Sequence, residues 1–429
     1  MFQTPRGTRD FLPKEMLKRN WVMDQIREVF KNYGYEPMST PAFESWDMLK
    51  KKSGEDAVNQ IYYFKDKSDR ELGLRFEWTA SLARVVATHR ELPKPFKRYV
   101  IGPVWRYERP SDMRWREFWQ ADVDVVGVAD PIADTEVLAV AVDSLKAIGF
   151  KGFKIKLNDR RLLEALVEIS GLPKEKYLDA FRAVDKRGKI GDEGVLEELD
   201  KIGASRESSQ RLLDLTSIRG APSEVIGKAK ELVKGVKKGL DACEALLSIV
   251  DYAEGYGITG DILVDLGLAR GLDYYTGPVF EVYAEGFENE GSIAGGGRYD
   301  ELIEIFGGEP TPVTGVSLGP GRLVALLERA GVFDSLNLAP RVYVVSASDS
   351  VRSKAIEVAQ ELRRAGVSTE MDLLSRGMRK QLDNANTKGV SKVVIVGERE
   401  LAEGCVAVRD MSTSVQQKVK LEELLEHLG

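Results

Sequence analysis

Two groups of arginine carry the chemistry open to this sequence. Arg106, Arg109, Arg114 and Arg116 fall within residues 106–116, and Arg270 opens the run Arg270-Gly271-Leu272-Asp273-Tyr274-Tyr275. A guanidinium is a fixed positive charge with a planar fork of donors, suited to carboxylates and phosphates. Cations so closely spaced cannot lie unpaired inside a sheet, because burying a lone charge is too costly. They form either a solvated basic hairpin or a clamp on a polyanion. Phe118 beside them favours a nucleoside triphosphate, since arginine clamps and a stacking aromatic recur in such sites. The Arg270 run also has two readings: an anion-binding corner, or a structural Arg–Asp pair with two core tyrosines. Glu77 and Thr79 set a carboxylate and a hydroxyl either side of Trp78, and both accept hydrogen bonds from an ammonium group. Thr79 would equally cap a helix over Ser81–His89. Gln120, Asp122 and Asp124 alternate along a strand, so three polar side chains share one face and suggest a lined pocket.

Other chemistries find little material. There are two histidines, His89 and His427, and two cysteines far apart, Cys243 and Cys405. A Ser-His-Asp triad or multi-histidine metal site has no place outside His89, and a disulfide framework or cysteine-based zinc site is excluded. No protein-held metal is expected. The 429 residues predict two or three domains. With 43% hydrophobic and 30% charged residues, the expectation is a soluble globular protein. No apolar run reaches the length of a membrane span, and the start, MFQTPRGTRDF, lacks a signal-peptide core, so cytoplasm is the expected location. A net charge of −6 gives no global footprint for nucleic acid, so RNA contact would need local basic patches.

The elements that must position these residues follow from pattern. Lys14–Asn32 reads as a helix with Leu17, Trp21, Ile26 and Phe30 near helical spacing, begun by Pro13 and ended by Gly34. An extended piece, Tyr35–Ser39, leads into Thr40-Pro41. Ile61–Lys65 and Glu71–Arg75 flank a turn as a hairpin, and a second hairpin turns through Ser111–Arg116 into the strand Glu117–Val125. Residues 159–254 are mostly helical, in segments Leu162–Ile169, Lys174–Val184, Gly194–Ile202, Glu207–Leu215 and Pro222–Val250. Ile262–Leu266 and Val279–Tyr283, either side of Thr276-Gly277-Pro278, read as an antiparallel hairpin or meander. Gly295-Gly296-Gly297 allow close approach of backbone to a ligand. After a linker at Asn337-Leu338-Ala339-Pro340, strands and helices alternate as a small α/β domain. There Arg376, Arg379, Lys380, Lys388 and Lys392 outnumber Asp383, which suits a solvated helix face or an RNA-binding surface.

These stretches resemble the class II synthetases, and within them the histidyl-tRNA synthetase family. ARGLDYYTG resembles the family's histidine-specific signature. The first helix with its Pro41 strand resembles motif 1, and Pro103–Asp124, with Arg106 and Glu108 as Arg-x-Glu, resembles motif 2. Val313–Leu323 resembles motif 3, with Gly321 where a Glu before the arginine is usual. GGGRYD at 295–300 resembles the segment lining the amino-acid pocket, and SRGMRKQLDNANTKG and VIVGERE resemble the class IIa anticodon-binding domain. Asp124, where many bacterial members have Glu, brings the chain nearer the archaeal and eukaryotic branch.

The resemblance implies an α+β fold. An antiparallel-sheet catalytic domain would span 1–335, interrupted by a helical insertion at approximately 160–240, with an α/β anticodon-binding domain over 336–429. It implies ATP-dependent ligation of L-histidine to tRNA(His) through histidyl-adenylate, with Mg2+ carried by ATP, a homodimer, and no membrane association. By the same resemblance Arg106 and Arg270 are catalytic, between the α-phosphate and the histidine carboxylate. Arg114 and Arg322 would hold the triphosphate, and Glu108 and Phe118 the adenine. Glu77, Thr79 and Gln120 would hold the α-ammonium, with Trp78 in the same histidine site. Asp124, Tyr274 and Tyr275 would read the imidazole. A histidine-sensing paralogue that charges no tRNA, and a sister class IIa synthetase, remain as other readings.

Overall fold

The computed structural model describes residues 2–52, 58–111, 114–270, 274–336, 338 and 342–428. The chain divides into two compact units, Met1–Ala330 and Gly331–Gly429.

In the first unit the strands in chain order are β1 (Glu36–Pro37), β2 (Phe43–Ser45), β3 (Tyr63–Lys65), β4 (Glu71–Leu74), β5 (Phe96–Trp105), β6 (Glu117–Val126), β7 (Phe153–Asp159), β8 (Arg219–Gly220), β9 (Ile262–Asp265), β10 (Pro278–Ala284), β11 (Ala294–Arg298) and β12 (Val313–Leu318). Nine of them form one sheet in the order β1-β5-β6-β12-β11-β10-β7-β9-β8, antiparallel except for the β1/β5 and β7/β9 pairs. The remaining three make a small sheet, β2-β4-β3.

The helix Pro13–Asn32 starts at a proline, whose fixed φ and missing N–H suit a first turn. Its buried face is Arg19, Val22, Met23, Ile26 and Phe30, and Leu17 is 41% exposed. The stripe is therefore rotated from the one expected, because a basic residue, Arg19, occupies an inward position. The long hairpin β5–β6 pairs Phe96 with Val126 through to Trp105 with Glu117. Gly102 on β5 has a packing reason: a Cβ there would lie 2.7 Å from the Trp78 ring.

The strands β9 and β10 are not a hairpin. β7 lies between them, parallel to β9 and antiparallel to β10. Its alternation, Phe153, Ile155 and Leu157 against Lys154 and Lys156, is a legible half-buried strand. Where a helical insertion is expected at approximately 160–240, residues 160–256 form the helices Arg160–Ile169, Tyr177–Asp185, Arg187–Lys201, Arg206–Thr216, Pro222–Leu232 and Lys237–Tyr256. The single helix expected over Pro222–Val250 is two, broken at Val233–Val236 around Gly235. Leu163, Val167, Phe181, Val184, Leu199 and Leu212 share one core with Ala269, the residue before Arg270.

The second unit has β13 (Val342–Ser346), β14 (Thr369–Met371), β15 (Lys392–Val396), β16 (Cys405–Asp410) and β17 (Gln416–Lys420) in the order β14-β13-β15-β16-β17. The β13 pairings are parallel and the others antiparallel. Alternate side chains of β13 and β15 feed two cores: Val342 and Val344 pack with Ala355 and Val358, whereas Tyr343 and Val345 pack with Ala385. The linker residues Asn337, Ala339 and Pro340 lie outside the described residues. Among the described residues no helix is long and apolar enough to cross a membrane.

Candidate active site

A cavity of about 630 Å³ opens in the first unit against β6, β11 and β12. Of the site residues named above, all but Trp78 line it: Glu77, Thr79, Arg106, Glu108, Arg114, Phe118, Gln120, Asp124, Arg270, Tyr274, Tyr275 and Arg322. Trp78 is a correction. It is 2% exposed, packed with Val100, Val104 and Phe118, and the Arg75 guanidinium lies 3.3 Å from its ring centroid. Arg75 in turn donates to the carbonyls of Thr40, Pro41 and Pro103, so Trp78 belongs to a buried cation–π stack under the cavity floor.

One end of the cavity is acidic. Glu77 accepts the backbone N–H of Thr79 at 2.5 Å and of Ala80 at 2.8 Å, so its carboxylate caps the helix Thr79–Thr88. The cap expected from Thr79 thus comes from Glu77. Gln120, Asp122 and Asp124 on β6 line the same cavity. Asp124 pairs with the fully buried Arg98, its cross-strand neighbour, at 2.5 Å, although no Arg98 N–H is aligned as a hydrogen bond. The Tyr299 hydroxyl donates to the other Asp124 oxygen. Burial pushes the Asp122 carboxyl up to about 7, against the pull of Arg98 and Ser317. Tyr274 and Tyr275 pack at 4.3 Å between ring centroids, with Tyr299 edge-on to Tyr274.

Arginines make up another part of the lining. Arg270 pairs with Glu281, and a second N–H contact reaches the Ser292 hydroxyl. Burial alone would lower the Arg270 pKa, but Glu281 and the two tyrosines outweigh it and the net direction is up. Gly295 makes this position possible, since a Cβ there would overlap the guanidinium. The glycine run is a strand that admits the protein's own groups, with Gly296 against the β12 backbone and Gly297 against the Tyr275 ring. Arg106 donates through Nε to the Phe76 carbonyl at 3.0 Å, and its guanidinium lies 5.1 Å from the Phe118 ring centroid. Arg114 pairs with Glu108 at 3.2 Å. Arg322, in the first turn of the helix Pro320–Arg329, donates to the Ser292 carbonyl at 2.5 Å. Burial, with Arg114 next, lowers its pKa. At Gly321 an added Cβ meets nothing within 4 Å, so packing does not require glycine there. Asp273 lies outside the described residues.

Sequence reasoning missed Arg98, Glu281 and the mouth. Glu281 had a signal, a lone charge inside the apolar strand Pro278–Ala284. Arg9, Phe11 and Arg19, distant in sequence from the hairpin, had none. Arg19 lies 4.3 Å from the Phe11 ring centroid and 5.2 Å from that of Trp119, and burial, then Arg9, lowers its pKa to about 10.

In the second unit the basic stretch is partly neutralised. Arg376 pairs with Asp372 and Lys388 with Glu370, while Arg379 and Lys380 are exposed. Beside them Leu373 and Leu374 are also exposed.

A model described as histidyl-tRNA synthetase matches residues 7–323, and one described as anticodon binding domain matches residues 341–429. The chain belongs to the histidyl-tRNA synthetase family. It is 41% identical to a histidine–tRNA ligase of Pyrococcus furiosus, covering 100% of this chain and 99% of that one. A crystal structure of histidyl-tRNA synthetase from Nostoc is similar at TM-score 0.89 and 30% identity, covering 100% of this chain and 99% of that one. A Bacillus halodurans structure titled as an ATP phosphoribosyltransferase regulatory subunit/histidyl-tRNA synthetase is similar at TM-score 0.78 and 26% identity, over 92% and 98% of the two chains. The family assignment thus spans both units, and the fold agrees with the large, mostly antiparallel sheet and separate α/β unit expected.

Proposed function

We propose that this chain activates L-histidine with ATP and transfers it to tRNA(His). The observation that carries the reading is one cavity lined by both signs of charge. Acids, Glu77, Asp122 and Asp124, and arginines, Arg106, Arg114, Arg270 and Arg322, line it together. A zwitterionic amino acid with a basic side chain finds partners there for both of its charges, its carboxylate on the arginines.

In the first step a histidine carboxylate oxygen attacks the α-phosphorus of ATP, and the bond to pyrophosphate breaks, giving histidyl-adenylate. In-line positioning and charge neutralisation are what the protein adds. Arg106 and Arg270 bracket the two anions, and Arg114 and Arg322 hold the phosphate tail. Phe118 and Glu108 take the adenine. Asp124, already fixed by Arg98 and Tyr299, reads the imidazole with Tyr274 and Tyr275. In the second step a hydroxyl of the terminal tRNA adenosine attacks the carbonyl carbon and AMP leaves. Mg2+ brought by ATP would offset the charge of the phosphates.

The second unit binds the anticodon arm, with Arg379, Lys380 and the exposed Leu373 and Leu374 available to phosphates and splayed bases. Two chains form a dimer in a cytoplasmic enzyme. The exposed Phe43–Phe64 ring pair and the exposed Tyr107 offer apolar surface for that contact, and sedimentation tests it.

Pyrophosphate exchange across a panel of amino acids, followed by tRNA charging, tests the whole reading. Exchange with histidine alone and charging of tRNA(His) support it. Histidine binding without exchange points to a sensing paralogue, and exchange with another amino acid to a sister synthetase.

A further inference from the structure

Arg116 belongs to the arginine-rich hairpin, yet it takes no part in the chemistry above and does not line the cavity, whereas Arg114 does. Its guanidinium serves main chain instead. Nε donates to the Glu108 carbonyl at 3.1 Å and Nη1 to the Arg6 carbonyl at 3.3 Å, with the Tyr107 ring centroid 4.1 Å away. Its backbone faces two ways. The Arg106 N–H donates to the Arg116 carbonyl at 2.8 Å, closing the hairpin, and the Arg116 N–H donates to the Gly7 carbonyl at 2.8 Å, holding the N-terminal segment.

Gly7 is shaped for this contact. Its φ is +83°, in the left-handed region that suits glycine, and a Cβ there would lie 2.7 Å from Arg116 Cδ and 3.0 Å from Pro110 Cγ. Thr8 ties the turn, since its N–H and its hydroxyl both donate to the Pro5 carbonyl, at 3.0 and 2.8 Å. Past the turn, Arg9 and Phe11 join the cavity lining. The segment is a strap laid across the hairpin, with the stem of Arg116 in its notch.

The hairpin needs such a tie. Past the Arg106–Arg116 bond, the next backbone pairing between its two arms among the described residues is Ser111 with Arg114, near the tip. Glu108, assigned to adenine, lies in the stretch between, and its carboxylate pairs with Arg114, assigned to the triphosphate, at 3.2 Å. We propose that Arg116 is a positioning residue for ATP: seated against Gly7 of the strap, it fixes the main chain of Glu108 and so aims the Glu108–Arg114 pair into the cavity. The inference rests on the ATP-dependent reading above and adds to it a part for the N-terminal segment. A misaimed hairpin weakens the nucleotide. Histidine is spared, because Asp124 is held separately by Arg98 and Tyr299, and Tyr274 and Tyr275 lie outside the hairpin.

Pyrophosphate exchange tests this with Arg116→Ala, Gly7→Ala and the double variant. Each single change should raise the KM for ATP about tenfold, the scale for a small misplacement of a reacting group, and leave the KM for histidine near its wild-type value. The double variant should be no worse than Arg116→Ala, because the two changes break one contact and do not add. Arg116→Lys keeps the charge and loses the fork, so it should behave like Arg116→Ala. Full rescue by Lys would mean that charge alone matters and overturns the proposal. Additive losses overturn it too, since Arg116 would then act without the strap. So does an equal rise for histidine and ATP, or no rise for ATP, while histidine activation stands in each case. Should Arg116→Ala not fold, Gly7→Ala decides, and an unchanged KM for ATP there overturns the proposal. A wild type that exchanges pyrophosphate with no amino acid brings down the parent reading, and this one with it.

Discussion

The Arg270 guanidinium rests against Glu281 and Ser292, over a glycine that leaves it room. Its charge is balanced without being walled off, which is the state a phosphate-binding arginine needs before its ligand arrives. Replacing it with Ala should lower pyrophosphate exchange by about two orders of magnitude, the scale for losing a group that stabilises developing negative charge. Near-normal exchange in that variant would remove Arg270 from the chemistry. Gly295→Ala should act on the same atom by displacement, lowering kcat for exchange while the thermal unfolding of the unit shifts little. Asp124→Asn should raise the KM for histidine more than that for ATP, and an equal rise in both would point to general damage. Residue types near the site were readable because charge and polarity on a strand face have few other uses, as at Gln120, Asp122 and Asp124. Trp78 was not readable. Its neighbours Glu77 and Thr79 reach the cavity, but Trp78, in helical backbone just before the helix Thr79–Thr88, puts its ring into the core. Truncating it to Ala should cost roughly 3–5 kcal/mol of stability, measured by denaturant unfolding.

At the level of elements, periodicity found most helices and strands but could not find adjacency. Ile262–Asp265 and Pro278–Ala284 look like a hairpin because a turn sequence lies between them, yet β7 comes from residues 153–159 to separate them. A turn fixes local reversal; which strand completes the sheet depends on what else has an apolar face to bury. The same limit hid the break near Gly235, where apolar spacing continues on both sides; the second helix begins with Gly239 packed against Ala165 and Val233. The insertion core also has a mechanistic edge. Phe181 is 1% exposed and shares its cluster with Ala269. Phe181→Ala should open a cavity costing about 3–5 kcal/mol. Through Ala269 it should also cut exchange about tenfold, since small misplacements of a reacting group cost that much. Full exchange activity in a measurably destabilised Phe181→Ala would show that the two are uncoupled.

For the whole molecule, every residue lining the cavity falls within the unit of residues 1–330. A chain ending at Ala330 should therefore still exchange pyrophosphate with histidine while losing most of its tRNA charging. Loss of both activities would mean that the second unit supports the first. Composition bounded this scale well: length demanded more than one core, and the scarcity of His and Cys removed whole classes of mechanism. The mouth formed by Arg9, Phe11 and Arg19 was beyond it, because nothing local ties an N-terminal segment to a hairpin a hundred residues away.

Ala269 carries a consequence for how such a chain can change over time. Its methyl group is wedged among insertion side chains while the next residue along supplies the guanidinium over Gly295. The helical insertion is therefore no interchangeable attachment. Transplanting one from a distant cousin would require refitting the socket around that methyl, or the arginine would be left aiming at empty space.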